Sequence, residues 1–595
     1  MKKRKGLLKI IFGRTTIVVL LLLIQIVILF ISFNWLADYT VLIYGAFTFL
    51  SGVVLIYIIN DDQNASFKMA WIIPVLVIPI FGTLLYLFMK FQFGTRFIKR
   101  SLEDTGKKIK PLLTQNPDVL NLLEKDNPNE AGLVRYLNNS GGYSTYNNSS
   151  VKYFPLGEDK YNEMLIQLEA AEKFIFLEYF IVARGYMWDS ILEILKRKVA
   201  DGIEVRFMYD GTCSLFLLPY NYPKYLNKLG IKSKMFSPIK PILSTHQTNR
   251  DHRKILVIDG RVAFTGGVNL ADEYINREVR FGHWKDTAIM VSGDAVRSFT
   301  LMFLQMWNVK EQAPERYEDY ISQKFNMIEN NDHFMENVIA TGNDVSMGNR
   351  MPIFNDESAE DDINAEGDIK AEGNIKAEED IRAEGDITAE GDIKIENVMS
   401  EENDISKDSG MSAGGYVMPY GDSPFDGENI GKNVYIDIIN RAKNYVHIMT
   451  PYLILDDEMI SALIYAAQRG VETIIITPHI PDKVYTYLLG RTYYRELLEK
   501  GVKICEYTPG FIHAKVFTSD NEKAVVGTIN LDFRSLYLHF ECAAYIYKNP
   551  EIFKIEADFQ NTLVQSQNMS LEDCKRFPPI KKFLGQVLRL FAPLM

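Results

Sequence analysis

A chain of 595 residues exceeds what one hydrophobic core usually organises, so the length predicts three or four structural units. The net charge of −11 is uneven: residues 356–408 hold 20 acidic and 5 basic side chains, a local −15 that leaves +4 on the rest. The chain outside residues 356–408 is therefore only weakly basic. This charge argues against nucleic acid as a partner and suits contact with an anionic lipid surface. The four cysteines include no C-x-x-C pair, which argues against a zinc ribbon and predicts free thiols in a reducing compartment.

Three hydrophobic segments open the chain, at about residues 15–33, 39–59 and 70–89. Each contains 19–21 residues and none contains Lys, Arg, Asp or Glu. Helices of this length can cross the hydrocarbon core of a bilayer. We therefore predict a transmembrane region over residues 1–95, with the third helix bent at its two prolines.

Two later stretches, 130–330 and 415–595, share an order of predicted elements. In each, a short apolar run predicts a buried strand, a helical pattern follows, and a second strand comes next. These elements are strand 174–177, helix 187–200 and strand 205–209 in the first stretch, and strand 445–449, helix 457–469 and strand 474–476 in the second. The internal duplication predicts an α/β fold of two similar lobes, each a sheet flanked by helices.

An acidic hexapeptide repeat joins the lobes within residues 350–412. Isoleucine recurs at every sixth position from Ile363 to Ile393. Hexapeptide repeats can build a left-handed β-helix, but one isoleucine per six residues buries little apolar surface. A disordered linker is therefore the favoured prediction.

Each lobe carries one copy of the pattern His-x-Lys-x4-Asp-x6-Gly-x-x-Asn. The first copy comprises His252, Lys254, Asp259, Gly266 and Asn269, and the second comprises His513, Lys515, Asp520, Gly527 and Asn530. Two copies with identical spacing predict a single site assembled from two halves.

The residue types of this motif suit transfer at a phosphodiester. A histidine nucleophile divides the exchange into two displacements through a phosphohistidine, and a second histidine protonates the departing oxygen. Lys254 and Lys515 would neutralise the non-bridging phosphate oxygens, and the two asparagines, Asn269 and Asn530, would donate hydrogen bonds to them.

The acidic residues of the lobes have two different expected roles. Asp259 and Asp520 complete the candidate catalytic motif, but both stand at predicted turns, where we expect structural hydrogen bonds or lysine pairs. Asp286 and Glu541 each begin a predicted strand after the motif, and either could hold the far nitrogen of a catalytic imidazole. Because the chain contains no Walker-type glycine loop and no His/Cys metal cluster, we expect neither a cofactor nor a metal.

The paired motifs resemble those of the phospholipase D superfamily. Together with HWKDT at 283–287, LHFEC at 538–542, the hydrophobic opening and the RLFAPL ending, they resemble bacterial cardiolipin synthases over roughly 40–330 and 415–595. The resemblance implies that one phosphatidylglycerol gives its phosphatidyl group to a histidine and a second accepts it, which yields cardiolipin and glycerol. It also implies His252 as nucleophile and His513 as acid.

Other functions remain open at this point. The same intermediate could be hydrolysed by water, as in a phospholipase D, or passed to another alcohol. A nuclease is disfavoured by the hydrophobic segments and the weak positive charge, and a membrane scaffold without activity is disfavoured by two intact motifs.

The resemblance implies a multi-pass protein of the bacterial cell membrane. Basic residues precede the first segment and follow the third, and basic residues favour the cytoplasmic side of a membrane. Three crossings would put these two ends on opposite sides, so both preferences cannot be satisfied. The resemblance and the cysteines lead us to expect cytoplasmic lobes. The C-terminal segment 580–591 mixes apolar residues with three basic ones, so it could lie in the bilayer interface or pack on the second lobe. The sequence does not indicate an oligomeric state.

Overall fold

The computed structural model describes residues 27, 30, 40–90, 93–239, 249–309, 311, 316–321 and 412–594. The predicted hydrophobic segment at 15–33 lies outside these residues, apart from Val27 and Phe30. The predicted linker at 350–412 lies outside them as well, apart from its last residue.

Helices form the start of the described chain: Thr40–Asn60, Ala65–Val77, Pro79–Lys90 and Phe93–Ile109. The prediction of one bent helix over 70–89 is wrong, because the chain leaves the helical conformation at Ile78 (φ −131°, ψ 75°). Proline lacks an N–H and restricts the residue before it, so a helix readily ends just ahead of Pro79.

The two helices on either side of Ile78 fold back on each other. A Cβ on Gly82 would lie 2.3 Å from the carbonyl oxygen of Pro74, so only glycine permits this approach. Within the described ranges, no helix combines the length and the apolar character needed to cross a bilayer. The structure therefore does not support the spanning helices predicted at 39–59 and 70–89.

The first lobe is built on an eight-stranded sheet with the order β4-β3-β2-β5-β6-β8-β1-β9. Strands β2, β3 and β4 pair in parallel, and the other neighbours are antiparallel. The strands, with β7 outside this sheet, are β1 Ser149–Phe154, β2 Phe174–Tyr179, β3 Glu204–Asp210, β4 Lys232–Phe236, β5 Ile255–Ile258, β6 Val262–Gly266, β7 His283–Lys285, β8 Ala288–Gly293 and β9 Ser412–Ala413.

The second lobe contains another eight-stranded sheet, whose strands are β10 Tyr416–Asp422, β11 Tyr445–Met449, β12 Glu472–Pro478, β13 Lys503–Tyr507, β15 Val516–Ser519, β16 Lys523–Gly527, β17 Glu541–Tyr547 and β18 Ser566–Asn568. Its order includes β13-β12-β11-β15-β16-β17-β10, which matches β4-β3-β2-β5-β6-β8-β1 strand for strand. The predicted duplication and the two-lobed α/β class are thus confirmed.

Helices flank both sheets. Those of the first half are Pro117–Asp126, Pro128–Tyr136, Gly157–Glu169, Tyr186–Ala200, Cys213–Phe216, Tyr222–Lys228 and Val296–Trp307. Those of the second half are Ile430–Arg441, Asp457–Gln468, Val484–Glu499, Glu551–Val564, Leu571–Arg576 and Pro579–Phe591. The first lobe was predicted to begin at 130, but helix Pro128–Tyr136 packs on the second lobe. Glu130 on this helix accepts a 2.7 Å hydrogen bond from the hydroxyl of Tyr545.

The two sheets share one hydrophobic core. Strands of both lobes contribute to it, together with helices Val296–Trp307 and Glu551–Val564. Thr265 on β6 and Cys542 on β17 meet across this core, with 3.4 Å between Oγ1 and Sγ. The other face of each sheet packs on helices, which for the second lobe include Pro117–Asp126 and Pro128–Tyr136. The lobes are therefore joined through the core between their sheets.

Candidate active site

The two motif histidines enter one site from equivalent positions. Each stands just before a strand of its own lobe, β5 for His252 and β15 for His513. The backbone N–H of His252 donates to the carbonyl of Phe540 at 2.9 Å, and that of His513 donates to the carbonyl of Lys285 at 2.7 Å. Since Phe540 precedes Glu541 and Lys285 precedes Asp286, each histidine is held beside an acid of the opposite lobe.

A pair of short strands fixes this crossing. Strand β14, Gly510–Ile512, leads into His513 and pairs in parallel with β7, which leads into Asp286. An isolated parallel bridge between Asp251 and Phe540 plays the equivalent part for His252. The connection between the lobes is therefore made at the segments that carry the candidate catalytic residues.

The imidazoles contact these acids through Nδ1. His252 Nδ1 lies 2.9 Å from Oε1 and 3.0 Å from Oε2 of Glu541. His513 Nδ1 lies 2.6 Å from Oδ2 of Asp286. All four side chains are buried. A carboxylate that accepts from Nδ1–H leaves the lone pair on Nε2, the nitrogen that can attack phosphorus or exchange a proton.

In each lobe, the residue after the motif glycine lies against the acid of that lobe. In the first lobe it is Gly267, where a Cβ would lie only 1.9 Å from Oδ1 of Asp286. In the second lobe it is Thr528, whose hydroxyl donates to Oε2 of Glu541 at 2.5 Å. The lack of a side chain at Gly267 thus leaves room for Asp286. The longer side chain of Glu541 is instead held by a hydrogen bond from the Thr528 hydroxyl.

Two buried lysines concentrate positive charge beside the histidines. Lys254 Nζ donates to the carbonyl of His252 at 2.7 Å, and Lys515 Nζ lies 2.9 Å from Nδ1 of His513. Burial lowers the pKa of Lys254 to about 8. Burial also lowers the pKa of Lys515 to about 7; nearby Asp286 opposes this shift and the charge of Lys254 adds to it. A buried cation pair of this kind is suited to an anion such as phosphate.

Burial shifts the histidines and Glu541 as well. It lowers the pKa of His513 to about 4, assisted by Lys515, and lowers the pKa of His252 well below its usual range, assisted by Lys254. Burial raises the pKa of Glu541, whereas Lys254 and the Thr528 hydroxyl favour its carboxylate. Both imidazoles are therefore neutral at physiological pH, the state required of a nucleophile or base.

The motif asparagines differ in their surroundings. Asn269 accepts from the backbone N–H of Ile181 and donates to the Tyr274 hydroxyl, both at 2.9 Å, so its amide fastens the loop after β6. Asn530 is buried, and its Oδ1 has no hydrogen-bond partner among the residues described. The contact with phosphate that we expect of Asn269 would therefore compete with its structural hydrogen bonds. The position of Asn269 in the motif does not indicate those bonds.

Asp259 and Asp520 both accept hydrogen bonds from backbone N–H groups of their own lobe. Each follows a motif strand with a left-handed backbone (φ 57° and 56°). Asp259 accepts the backbone N–H groups of residues 172–174 at 2.7–2.9 Å, and Asp520 accepts those of residues 443–445 at 2.8–3.1 Å. The structural hydrogen bonds expected at these two turns are therefore confirmed, and they fix the start of β2 and β11. A catalytic part for the two residues stays a prediction.

An aromatic frame surrounds the histidines. Phe180 lies 4.8 Å from His252 between ring centroids, and Tyr274 and Trp284 each lie 5.5 Å from His513. A second histidine, His539, lies 5.5 Å from His252. Trp284 and His539 occupy the same place, two residues before each acid. That position marks His539 in the sequence as the strongest supporting candidate among the other histidines, and the same spacing applied to the first lobe could have revealed Trp284.

One set of side chains near this site could meet a metal ion. In the described parts of the chain, His252, His539 and Glu541 each offer a ligand atom, and these atoms lie within 4.8 Å of one another. A metal held there would engage the imidazole that the resemblance implies as nucleophile.

The chain is similar to known proteins over most of its length. A family model described as "Cardiolipin synthase, PLD-like domain" matches residues 435–563, and one described as "Phospholipase_D-nuclease N-terminal" matches 49–90. A Streptococcus mutans protein described only as uncharacterized is 43% identical over 541 residues, which cover 91% of this chain and 99% of that protein.

Named relatives match over similar lengths. A cardiolipin synthase of Alkalihalophilus pseudofirmus is 29% identical, over 94% of this chain and 95% of that protein. Cardiolipin synthase 2 of Bacillus anthracis is 28% identical, over 92% of this chain and 90% of that protein. The chain belongs to the phospholipase D superfamily and, within it, to the cardiolipin synthase family.

Proposed function

We propose that this protein is a cardiolipin synthase that moves a phosphatidyl group between two phosphatidylglycerol molecules. The observation that carries the proposal is the pair of cross-lobe hydrogen bonds, His252 to Glu541 and His513 to Asp286, around two buried lysines. A histidine on each side of a phosphate position provides both a nucleophile and an acid, and the relatives named cardiolipin synthase indicate the substrate class.

In the first step, Nε2 of His252 attacks the phosphorus of one phosphatidylglycerol. The P–N bond forms, the P–O bond to the terminal glycerol breaks, and His513 gives its proton to the departing oxygen. The low pKa of His513 arises from burial and from Lys515, so a phosphate that neutralises Lys515 raises the protonated fraction when it is needed.

In the second step, the terminal hydroxyl of another phosphatidylglycerol attacks the phosphohistidine. His513 takes the proton of that hydroxyl, the P–N bond breaks, and His252 is regenerated. The products are cardiolipin and one glycerol. Because one phosphodiester replaces another, the reaction requires little net driving force, and it uses neither nucleotide nor metal.

Both substrates are bilayer lipids, so we infer that the protein works at the cell membrane with its lobes in the cytoplasm. All four cysteines, Cys213, Cys505, Cys542 and Cys574, are free thiols, which supports a reducing compartment. The amphipathic C-terminal helix Pro579–Phe591 supports contact with the lipid surface, because one of its faces is apolar and exposed.

The decisive experiment is an assay of the purified full-length chain with phosphatidylglycerol in mixed micelles, with and without EDTA, followed by lipid analysis. Cardiolipin and glycerol in equal amounts, unaffected by EDTA, are the expected products. Phosphatidic acid alone would indicate hydrolysis by a phospholipase D, and loss of activity with rescue by one divalent ion would contradict the metal-free mechanism.

A further inference from the structure

The two half-sites also differ in the residue that stands two positions before each acid. Two residues before each acid, the first lobe has Trp284 and the second has His539. Trp284 is surrounded by aromatic rings, with centroids at 4.7 Å for Tyr274 and 4.9 Å for Phe511. That packing accounts for a large buried ring in the first lobe, but it does not account for a histidine in the second.

His539 is buried without hydrogen bonds. Its side chain is 8% exposed, yet neither ring nitrogen has a hydrogen-bond partner among the described residues. The nearest carboxylate oxygen, Oε1 of Glu541, lies 3.8 Å from Nδ1, beyond hydrogen-bond distance. Buried polar groups are almost always paired, so an unpaired imidazole in a substrate site indicates a partner that arrives with the substrate.

The surroundings of His539 define that partner. A ring nitrogen of His539 lies within 4.8 Å of a ring nitrogen of His252, and the two ring centroids are 5.5 Å apart, so His539 is within reach of a group carried by His252. Burial, followed by the charges of Arg534 and Lys254, holds the pKa of His539 well below its usual range, so the ring is neutral and presents one N–H donor. Cationic neighbours and a free donor favour an oxyanion.

We propose that His539 is a phosphoryl-binding residue that donates a hydrogen bond to a non-bridging oxygen of the group held by His252. It would act beside Lys254 and Lys515 as a third donor, one that carries no charge. This assignment rests on the proposed function, but it concerns the phosphoryl group alone and not the alcohol that later accepts it.

The first test measures binding of sulfate to the EDTA-treated full-length protein by calorimetry. His539→Phe keeps a ring of similar size without a donor, and it should weaken sulfate binding about tenfold. His539→Gln and His539→Asn each retain an N–H donor, and at least one should bind within about twofold of wild type. The matched control is His479→Phe, which removes a half-exposed histidine of the same lobe.

The second test compares kcat and KM for phosphatidylglycerol. Loss of a donor to the transition state should lower kcat of His539→Phe by about 10²-fold with little change in KM, and the glutamine or asparagine variant should recover part of it. Equal sulfate affinity in His539→Phe and wild type would overturn the proposal, as would equal loss in all three variants. If wild type yields phosphatidic acid, cardiolipin synthesis fails as the function while the sulfate result still decides the role of His539.

Discussion

His513 of the second lobe and Asp286 of the first are joined by a 2.6 Å hydrogen bond between Nδ1 and Oδ2. The counterpart runs the other way, from His252 of the first lobe to Glu541 of the second. Each lobe therefore supplies a histidine to one pair and an acid to the other. Neither lobe contains a complete pair, so the site exists only while the shared core holds the lobes together.

Changing either acid to its amide should disable the pair it belongs to. Asp286→Asn and Glu541→Gln keep the shape of the side chain but remove the negative charge and can donate to Nδ1, which favours the wrong tautomer. Cardiolipin formation should fall by about 10²–10⁴-fold in each variant. The control is Asp437→Asn, which changes a carboxylate paired with Arg441 on the helix Ile430–Arg441. Near-normal turnover in either amide variant would contradict the orienting role.

The covalent intermediate should form on one histidine only. His513→Ala retains the proposed nucleophile but lacks the acid and base, so it should accumulate a phosphatidyl adduct on His252, detected by mass spectrometry of peptides after a rapid quench. His252→Ala should show no adduct, and both variants should lose at least about 10²-fold in turnover. An adduct on His513 in the His252→Ala protein would reverse the two roles.

Anion binding should weaken as the pH rises above neutrality. The pKa values of Lys515 and Lys254 are about 7 and about 8 in the protein alone, and a bound anion requires both lysines to be charged. Below pH 7 they already carry their protons. Above pH 8 binding must recover them, which weakens affinity by up to about tenfold per pH unit for each lysine.

Sulfate is the suitable probe because its own charge is constant across this range. Calorimetric titrations between pH 6 and pH 9 should show this decline in affinity, and Lys515→Met should bind weakly at pH 6 with a shallower decline. An affinity that is constant from pH 6 to pH 9 would show that the lysines keep their protons in the protein alone.

The C-terminal helix should contribute to lipid binding. Its apolar residues Ile580, Phe583, Leu584 and Val587 lie on one exposed face at helical spacing. Gly585 lies on another side of the helix, where a Cβ would be 2.6 Å from the carbonyl oxygen of Leu488. The helix therefore packs on the second lobe and still presents an apolar face, which combines two outcomes that the sequence offered as alternatives.

Phe583→Glu should lower binding to phosphatidylglycerol vesicles by about tenfold or more, since burial of one such ring contributes about 1.5–3 kcal/mol. The matched control is Phe553→Glu on the helix Glu551–Val564: Phe553 is 60% exposed and Phe583 is 68% exposed. Co-sedimentation with vesicles measures both. Equal loss in the two variants would show that negative charge, rather than this helix, governs the effect.

Much of the fold was predictable from local patterns. The strand at 205–209 and the helix at 457–469 follow from short apolar runs and helical periodicity, which depend only on neighbouring residues. The third hydrophobic segment was misjudged, because composition alone does not reveal that Pro79 ends one helix and starts another. The start of the first lobe was predicted at 130 for a similar reason. Glu130 and Tyr545 are in contact but far apart in the sequence, so local patterns do not show that this helix packs on the second lobe.

The sequence by itself determined that this protein contains two half-sites, because His252 with Lys254 and His513 with Lys515 are local patterns that survive without any knowledge of packing. It also singled out Asp286 and Glu541 as the acids. Only the tertiary structure decided which histidine each acid serves, because the exchange between lobes arises from β7 meeting β14 and from a core shared by two sheets. Such contacts depend on how the two lobes dock, and no periodicity within either lobe encodes them.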